Sequence, residues 1–339
     1  MKRSHLLLVA ALYLFAAGCT HTNPRKDFLN VINRPRVPLA PQTEEMPTTN
    51  SSVQFHFSFA SDKDQRVPGI LIKSPTSQGR RPVVIALHGT GSSKANMLAL
   101  CRKLATNGFI AVAIDGRYHG ERAQAGTGSM EYNAAIARAW REPNEHPFYY
   151  DTVWDVMRLV DYLKTRKDVD PKRIGLIGFS KGGTETYLAA AADKRIAVAV
   201  PCIGVQSFRW ALENDAWQAR VKTIQSAVDA AAKDAGMAKV DAPFVKRFYD
   251  RVVPGIYDEF DGSAMLPLIA PRPLLVINSD SDPNTPLPGV KECATAAEQA
   301  YGKRKADHFV LRIQENTAHQ VRLESERAAI DWFVKWLKP

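Results

Sequence analysis

Ser180, Asp282 and His319 have the residue types and the chain order that nucleophilic acyl transfer requires. A serine hydroxyl attacks a carbonyl only once a base takes its proton, and an imidazole does this when an acid fixes its orientation. Ser180 sits at the centre of Gly178-Phe179-Ser180-Lys181-Gly182, a G-x-S-x-G pattern between an apolar run and a helical pattern. A sharp strand-to-helix turn crowds the positions two before and two after the serine, and glycine at both removes the side chains. In chains with this elbow the acid follows the serine and the histidine comes last. Only His308 and His319 lie beyond the candidate acids. His308 immediately precedes an apolar run, whereas His319 follows one in a loop that can reach the serine, so His319 is the candidate base. Asp280 and Asp282 both follow the run Leu274 to Ile277. Asp282, farther along the loop that turns toward His319, is the candidate acid, and Asp280 reads as a turn-forming aspartate.

The tetrahedral oxyanion of such a reaction needs two backbone N–H donors. One is the residue after the nucleophile, Lys181, and the other comes from the loop after the Val83 run, His88-Gly89-Thr90-Gly91, where Thr90 is expected to donate. His88 reads as a structural histidine at a strand end. The segment Asp115 to Arg122 has two readings: a loop braced by internal ion pairs, or a wall in which Tyr118 or His119 lines the acyl or alcohol pocket. Trp210, with Trp217 and Tyr257, is a candidate for packing or for stacking on a sugar or aromatic substrate.

The elements that must position these residues alternate between short apolar runs and helical patterns, as crossovers over a parallel sheet require. The runs are Val83 to Leu87, Ile110 to Ile114, Ile174 to Gly178, Ile196 to Val200, Leu274 to Ile277 and Phe309 to Ile313. Helical patterns cover Lys94 to Thr106, Thr152 to Thr165, Lys181 to Ala192, Gly289 to Tyr301 and Glu324 to Leu337. The alternation Val53, Phe55, Phe57, Phe59 and the run Val67 to Ile72 predict an antiparallel leading hairpin. The expected fold class is therefore α/β, with an eight-stranded, mostly parallel sheet flanked by helices. Gln206 to Pro271 is too long for an ordinary crossover and is expected to form a helical cap over the site.

Lys2 and Arg3, the apolar run Leu6 to Phe15 and the ending Ala16-Ala17-Gly18-Cys19 read as an export signal over residues 1–19. Cys19 directly after small residues resembles a bacterial lipobox, which implies lipidation at Cys19 and a membrane anchor in the periplasm or outer membrane; plain secretion is the alternative. Residues 20–50, rich in Pro, Thr, Asn and charge, are expected to be a flexible tether, leaving 51–339 as the catalytic domain. The net charge of +10 is spread without a basic, aromatic-interleaved face, so no nucleic-acid partner is expected. Cys and His spacings suggest no metal site. Cys101, Cys202 and Cys293 are an odd remainder that reads as buried thiols, not a disulfide framework.

The segments HGTG, GFSKGG, SDSDPNTP and AHQ resemble, in order and spacing, those of the α/β-hydrolase superfamily, and within it the dienelactone hydrolase and acetyl xylan esterase-like branch. The resemblance runs from about Phe55 to the end. It implies hydrolysis of a small-molecule or carbohydrate ester through an acyl-enzyme, with no cofactor. Sugar deacetylases of this layout usually carry RGQG, GxSQG and HE, where this chain has Arg117-Tyr118-His119-Gly120, Gly178 to Gly182 with Lys181, and His319-Gln320. The elbow Ser180-Lys181-Gly182-Gly183 is also similar to that of prolyl oligopeptidases, which makes peptidase or amidase activity the runner-up, ahead of a catalytically silent binding protein.

Overall fold

Buried apolar runs form the middle of a nine-stranded sheet whose order is β1-β2-β3-β5-β4-β6-β7-β8-β9. The strands are β1 Gln42–Thr49, β2 Ser52–Asp62, β3 Gln65–Lys73, β4 Arg81–Leu87, β5 Ile110–Ile114, β6 Val169–Phe179, β7 Ile196–Cys202, β8 Leu274–Ser279 and β9 Phe309–Gln314. The computed structural model describes residues 23–49, 52–124 and 128–339; the expected export signal over residues 1–19, with Cys19, lies outside the described residues. From β5 to β9 every pairing is parallel, while β1, β2 and β3 pair antiparallel with one another and β3 with β5. Strand β5, and β4 after Arg81, are apolar because helices cover both faces of the sheet. On one face lie α1 Pro24–Ile32, α4 Tyr150–Thr165, α5 Lys181–Ala192 and α11 Leu287–Tyr301; on the other lie α2 Leu98–Thr106 and α12 Leu323–Leu337.

The sheet has one strand more than the sequence suggested, and the expected tether is structured. Helix α1 begins with Asn23 accepting a hydrogen bond from the Lys26 N–H and with Pro24 in the first turn, where a missing N–H costs nothing. Its Phe28 and Ile32 are buried, and the Phe28 ring meets Tyr150 and Phe260 edge-on at 5.0 and 5.1 Å. Strand β1 runs through Glu44, Glu45 and Pro47, and has no apolar alternation because it is an exposed edge. Charge and proline on an edge blunt further pairing, and they also gave this segment the composition of a linker.

Between β7 and β8 the chain forms α6 Phe208–Glu213, α7 Gln218–Val221, α8 Gln225–Asp234, α9 Ala242–Val252 and α10 Gly262–Met265. These short helices enclose an aromatic core in which Phe208, Phe248, Tyr249 and Tyr257 pack on one another and on Tyr149. Helix α3 Gly128–Arg141 packs against α8 and α9 and ties this insertion to the body.

Candidate active site

The turn from β6 into α5 has no room for side chains at its two flanking glycines. A Cβ on Gly178 would lie 2.1 Å from the Gly182 carbonyl oxygen, and one on Gly182 would lie 2.5 Å from that of Leu87. Ser180 between them is held at φ 56° and ψ −116°, a left-handed-side conformation that a non-glycine residue occupies only when its surroundings impose it. Its N–H donates to the Cys202 carbonyl of β7 at 2.9 Å, which locks the elbow to the sheet. The hydroxyl stands at the amino end of α5, whose first N–H groups have no intrahelical acceptor.

Ser180, His319 and Asp282 converge from three crossovers. Ser180 Oγ is 2.7 Å from His319 Nε2, and His319 Nδ1 is 2.7 Å from Asp282 Oδ2. Asp282 is buried and also accepts from the Thr285 hydroxyl at 2.7 Å and the Asn284 N–H at 2.8 Å. Burial pushes its carboxyl pKa up, but the hydrogen bond and charge of His319, with those two donors, outweigh burial and leave it below the usual carboxylate range. Asp280 instead accepts from the Asn316 and Thr317 N–H groups and from Ser281, the turn-forming part expected of it. His308 bonds the Pro271 carbonyl and stays at the far end of β9.

Thr90 and Lys181 line the same pocket as Ser180 and His319. The loop that presents Thr90 is braced in a way the sequence did not disclose. The His88 Nδ1–H donates to the Gly89 carbonyl at 2.8 Å, and its Nε2 accepts from the Gly116 N–H at 3.0 Å. His119 Nδ1–H donates to the Arg117 carbonyl at 2.7 Å, and its Nε2 accepts from the Gly91 N–H at 3.1 Å. Burial, aided by the Lys181 charge, pushes the His88 pKa down to about 3 and that of His119 to about 2, so both rings stay neutral and keep an acceptor nitrogen. His119 is fully buried and does not line the pocket, contrary to one of its expected roles.

Tyr118 is likewise not a pocket residue: its hydroxyl donates to Glu145 at 2.7 Å, on a separate surface depression. Trp210, on α6 of the cap, packs beside Gly289 of α11 and does not reach the pocket either. The position of Tyr118 follows from the path of its own loop. The Asp115 to Arg122 loop turns inward, with Asp115 accepting from Lys94 and the Glu121 N–H and Arg117 pairing with Asp155, so the ion-pair reading of that loop holds. The pocket walls come instead from Tyr149, Thr184, Gln206, Arg220, Asn284 and Thr285. Tyr149, held at φ 75° just before α4, could have been found only from the three-dimensional path of the chain. The Lys181 side chain turns away from solvent into a buried ion pair with Glu185 at 2.7 Å. Cys101, Cys202 and Cys293 are buried and free.

A parallel sheet with a strained serine elbow, an acid loop after β8 and a histidine loop after β9 defines an α/β-hydrolase, and the chain is a carboxylic ester hydrolase. It belongs to the acetyl xylan esterase (AXE1) family, whose model matches residues 29–215. The YtaP protein of Bacillus subtilis (strain 168) is 24% identical over 286 residues, covering 80% of this chain and 84% of that protein. YitV of the same organism is 25% identical over 279 residues, covering 81% of this chain and 98% of its own. Among solved structures, acetyl xylan esterase 1 from Thermoanaerobacterium sp. JW/SL YS485 shares the fold with a TM-score of 0.65 at 16% identity, over 92% of both chains. The acetyl xylan esterase from Paenibacillus sp. R4 does so with a TM-score of 0.60 at 19% identity, again over 92% of both.

Proposed function

We propose that this protein removes short acyl groups, acetyl above all, from hydroxyl groups of carbohydrates. The observation that carries the reading is the unbroken hydrogen-bonded line Ser180–His319–Asp282 ending at a pocket with a cavity volume of about 30 Å³. The space beside Ser180 is narrow, which favours a short acyl group, and the pocket opens outward to admit the alcohol. The family to which the chain belongs and the esters named for its structural neighbours support a carbohydrate alcohol.

In this mechanism Ser180 Oγ attacks the ester carbonyl while His319 Nε2 takes its proton. Asp282 holds the His319 Nδ1–H and stabilises the imidazolium that forms. The backbone N–H groups of Thr90 and Lys181 stabilise the oxyanion. His319 then delivers the proton to the departing sugar oxygen, leaving an acyl-serine, and a water molecule activated by His319 repeats the sequence to free the acid. On the sequence of residues 2–19, we also propose export and lipid attachment at Cys19; labelling with radioactive palmitate that persists in Cys19→Ser would exclude that attachment.

The reading is tested by hydrolysis of 4-nitrophenyl esters from acetate to octanoate and of acetylated xylan. It expects turnover concentrated on acetate and its loss in Ser180→Ala. Octanoate turned over faster than acetate would refute the small acyl site.

A further inference from the structure

Five cationic side chains are buried among the described residues: Lys94, Arg117, Arg158, Lys181 and Arg220. Four have carboxylate partners, Lys94 with Asp115, Arg117 with Asp155, Arg158 with Asp161 and Lys181 with Glu185. Arg220 has none among the described residues, although it is only 5% exposed. Its Nε and Nη2 are shut off from solvent and make no hydrogen bond. A buried guanidinium without an anion is costly, which is why such groups are paired or await a ligand.

Arg220 is also placed to meet one. It lies on α7 of the cap and lines the pocket that holds Ser180 and His319. Its guanidinium is set over the Phe208 ring, 5.4 Å from the centroid, a contact that supports a cation without supplying an acceptor for its N–H groups. The Tyr249 hydroxyl donates to the Arg220 backbone carbonyl, which holds α7 in place. Lys181 is paired with Glu185, and Asp282 is held by hydrogen bonds from His319, Thr285 and the Asn284 N–H. Arg220 is the charged group of the pocket lining left without an ionic or side-chain hydrogen-bond partner among the described residues. Two amide oxygens in the same wall, Gln206 Oε1 and Asn284 Oδ1, are buried and accept nothing. A waiting guanidinium beside two waiting acceptors is the complement of a carboxylate carried next to hydroxyl groups.

We propose that Arg220 binds a carboxylate of the substrate, so that the preferred ester is one of an acidic, hydroxylated molecule such as a uronic acid unit. The proposal rests on the esterase reading of Ser180 and names the substrate class of that site. Arg220 makes two parallel N–H donations to the carboxylate, and Gln206 and Asn284 accept from neighbouring hydroxyls. Hydrogen bonds to charged groups of this kind correspond to roughly a 10-fold to 100-fold preference over the uncharged analogue.

Two substrate pairs locate the anion. Acetylated D-glucuronate against acetylated D-glucose puts it on the alcohol, and monomethyl against dimethyl succinate puts it on the acyl side. The wild-type protein should favour the anionic member of one pair by at least about tenfold in kcat/KM. Arg220→Gln should bring that ratio near one, and Arg220→Lys should restore part of it. Calorimetric titration of the wild-type protein with D-glucuronate and with D-glucose reads the same site without turnover. Equal hydrolysis of both members of both pairs, or a preference that survives Arg220→Gln, would overturn the assignment while leaving the esterase intact. Binding of D-glucuronate that is lost in Arg220→Gln, in a protein that hydrolyses no ester, would uphold the anion site and remove the esterase reading instead.

Discussion

His119→Leu tests whether the loop carrying Thr90 is held by the neutral histidine beneath it. The substitution keeps roughly the ring's volume but removes the acceptor for the Gly91 N–H and the donor to the Arg117 carbonyl. Each buried polar group left without a partner costs about 1–3 kcal/mol, so with two such groups the folded state should lose roughly 2–6 kcal/mol. The larger effect is expected in catalysis. Gly91 directly follows Thr90, and a loop freed at Gly91 carries the Thr90 N–H away from the oxyanion. Loss of one such donor lowers kcat by about 10²–10³-fold. Because that donor acts on the transition state, KM for 4-nitrophenyl acetate should change little. His119, with its pKa held down at about 2, does not titrate in the working range, so the pH midpoint of kcat should not move. His119→Gln, whose amide oxygen can accept from Gly91, should recover part of the rate. The assay is steady-state kinetics from pH 5 to 9 on variants shown by circular dichroism to be folded. A folded His119→Leu with kcat within about threefold of wild type would refute the bracing argument.

Two other perturbations probe the cap and the amino-terminal helix. Burial raises the Asp261 pKa to about 6 despite hydrogen bonds from Ser207, the Phe208 N–H and Ser263. A carboxyl raised on folding binds its proton more tightly in the native state, so its contribution is full below the unfolded value near 3.8 and is lost as pH rises through about 6. Asp261→Asn should therefore remove a fall in stability on the order of 3 kcal/mol between those pH values, measured by urea denaturation. Phe28→Ala should cost about 3–5 kcal/mol in the same assay, because the ring is fully buried against Tyr150 and Phe260. A cost below about 1 kcal/mol would return residues 24–32 to the status of a tether.

The parts of the fold that were legible are those where local pattern and tertiary role coincide. Strands β4 to β8 are largely buried on both faces, so they carry continuous apolar runs, and Gly178 and Gly182 are forced by backbone contacts only 2.1 and 2.5 Å from where a Cβ would lie. Ser180, Asp282 and His319 follow from chain order because each stands just past a strand end. Strand β1 was illegible because an exposed edge carries Glu44, Glu45 and Pro47 in place of alternation. Helix α1 was missed although Asn23-Pro24 is a start signal and Phe28 and Ile32 lie four apart on one face. Proline-rich surroundings masked it. The pocket lining was the least legible part. His119 and Arg220 are both buried and differ in partners only through long-range contacts, and nothing in their local sequence says that one braces a loop while the other faces the site.

The most direct test of the account treats the protein with a fluorophosphonate and locates the adduct by peptide mass spectrometry. The account predicts a single adduct on Ser180, formed at a rate that falls by several orders of magnitude in His319→Ala and is absent in Ser180→Ala. An adduct on another residue, or labelling of Ser180 that is indifferent to His319, would contradict it.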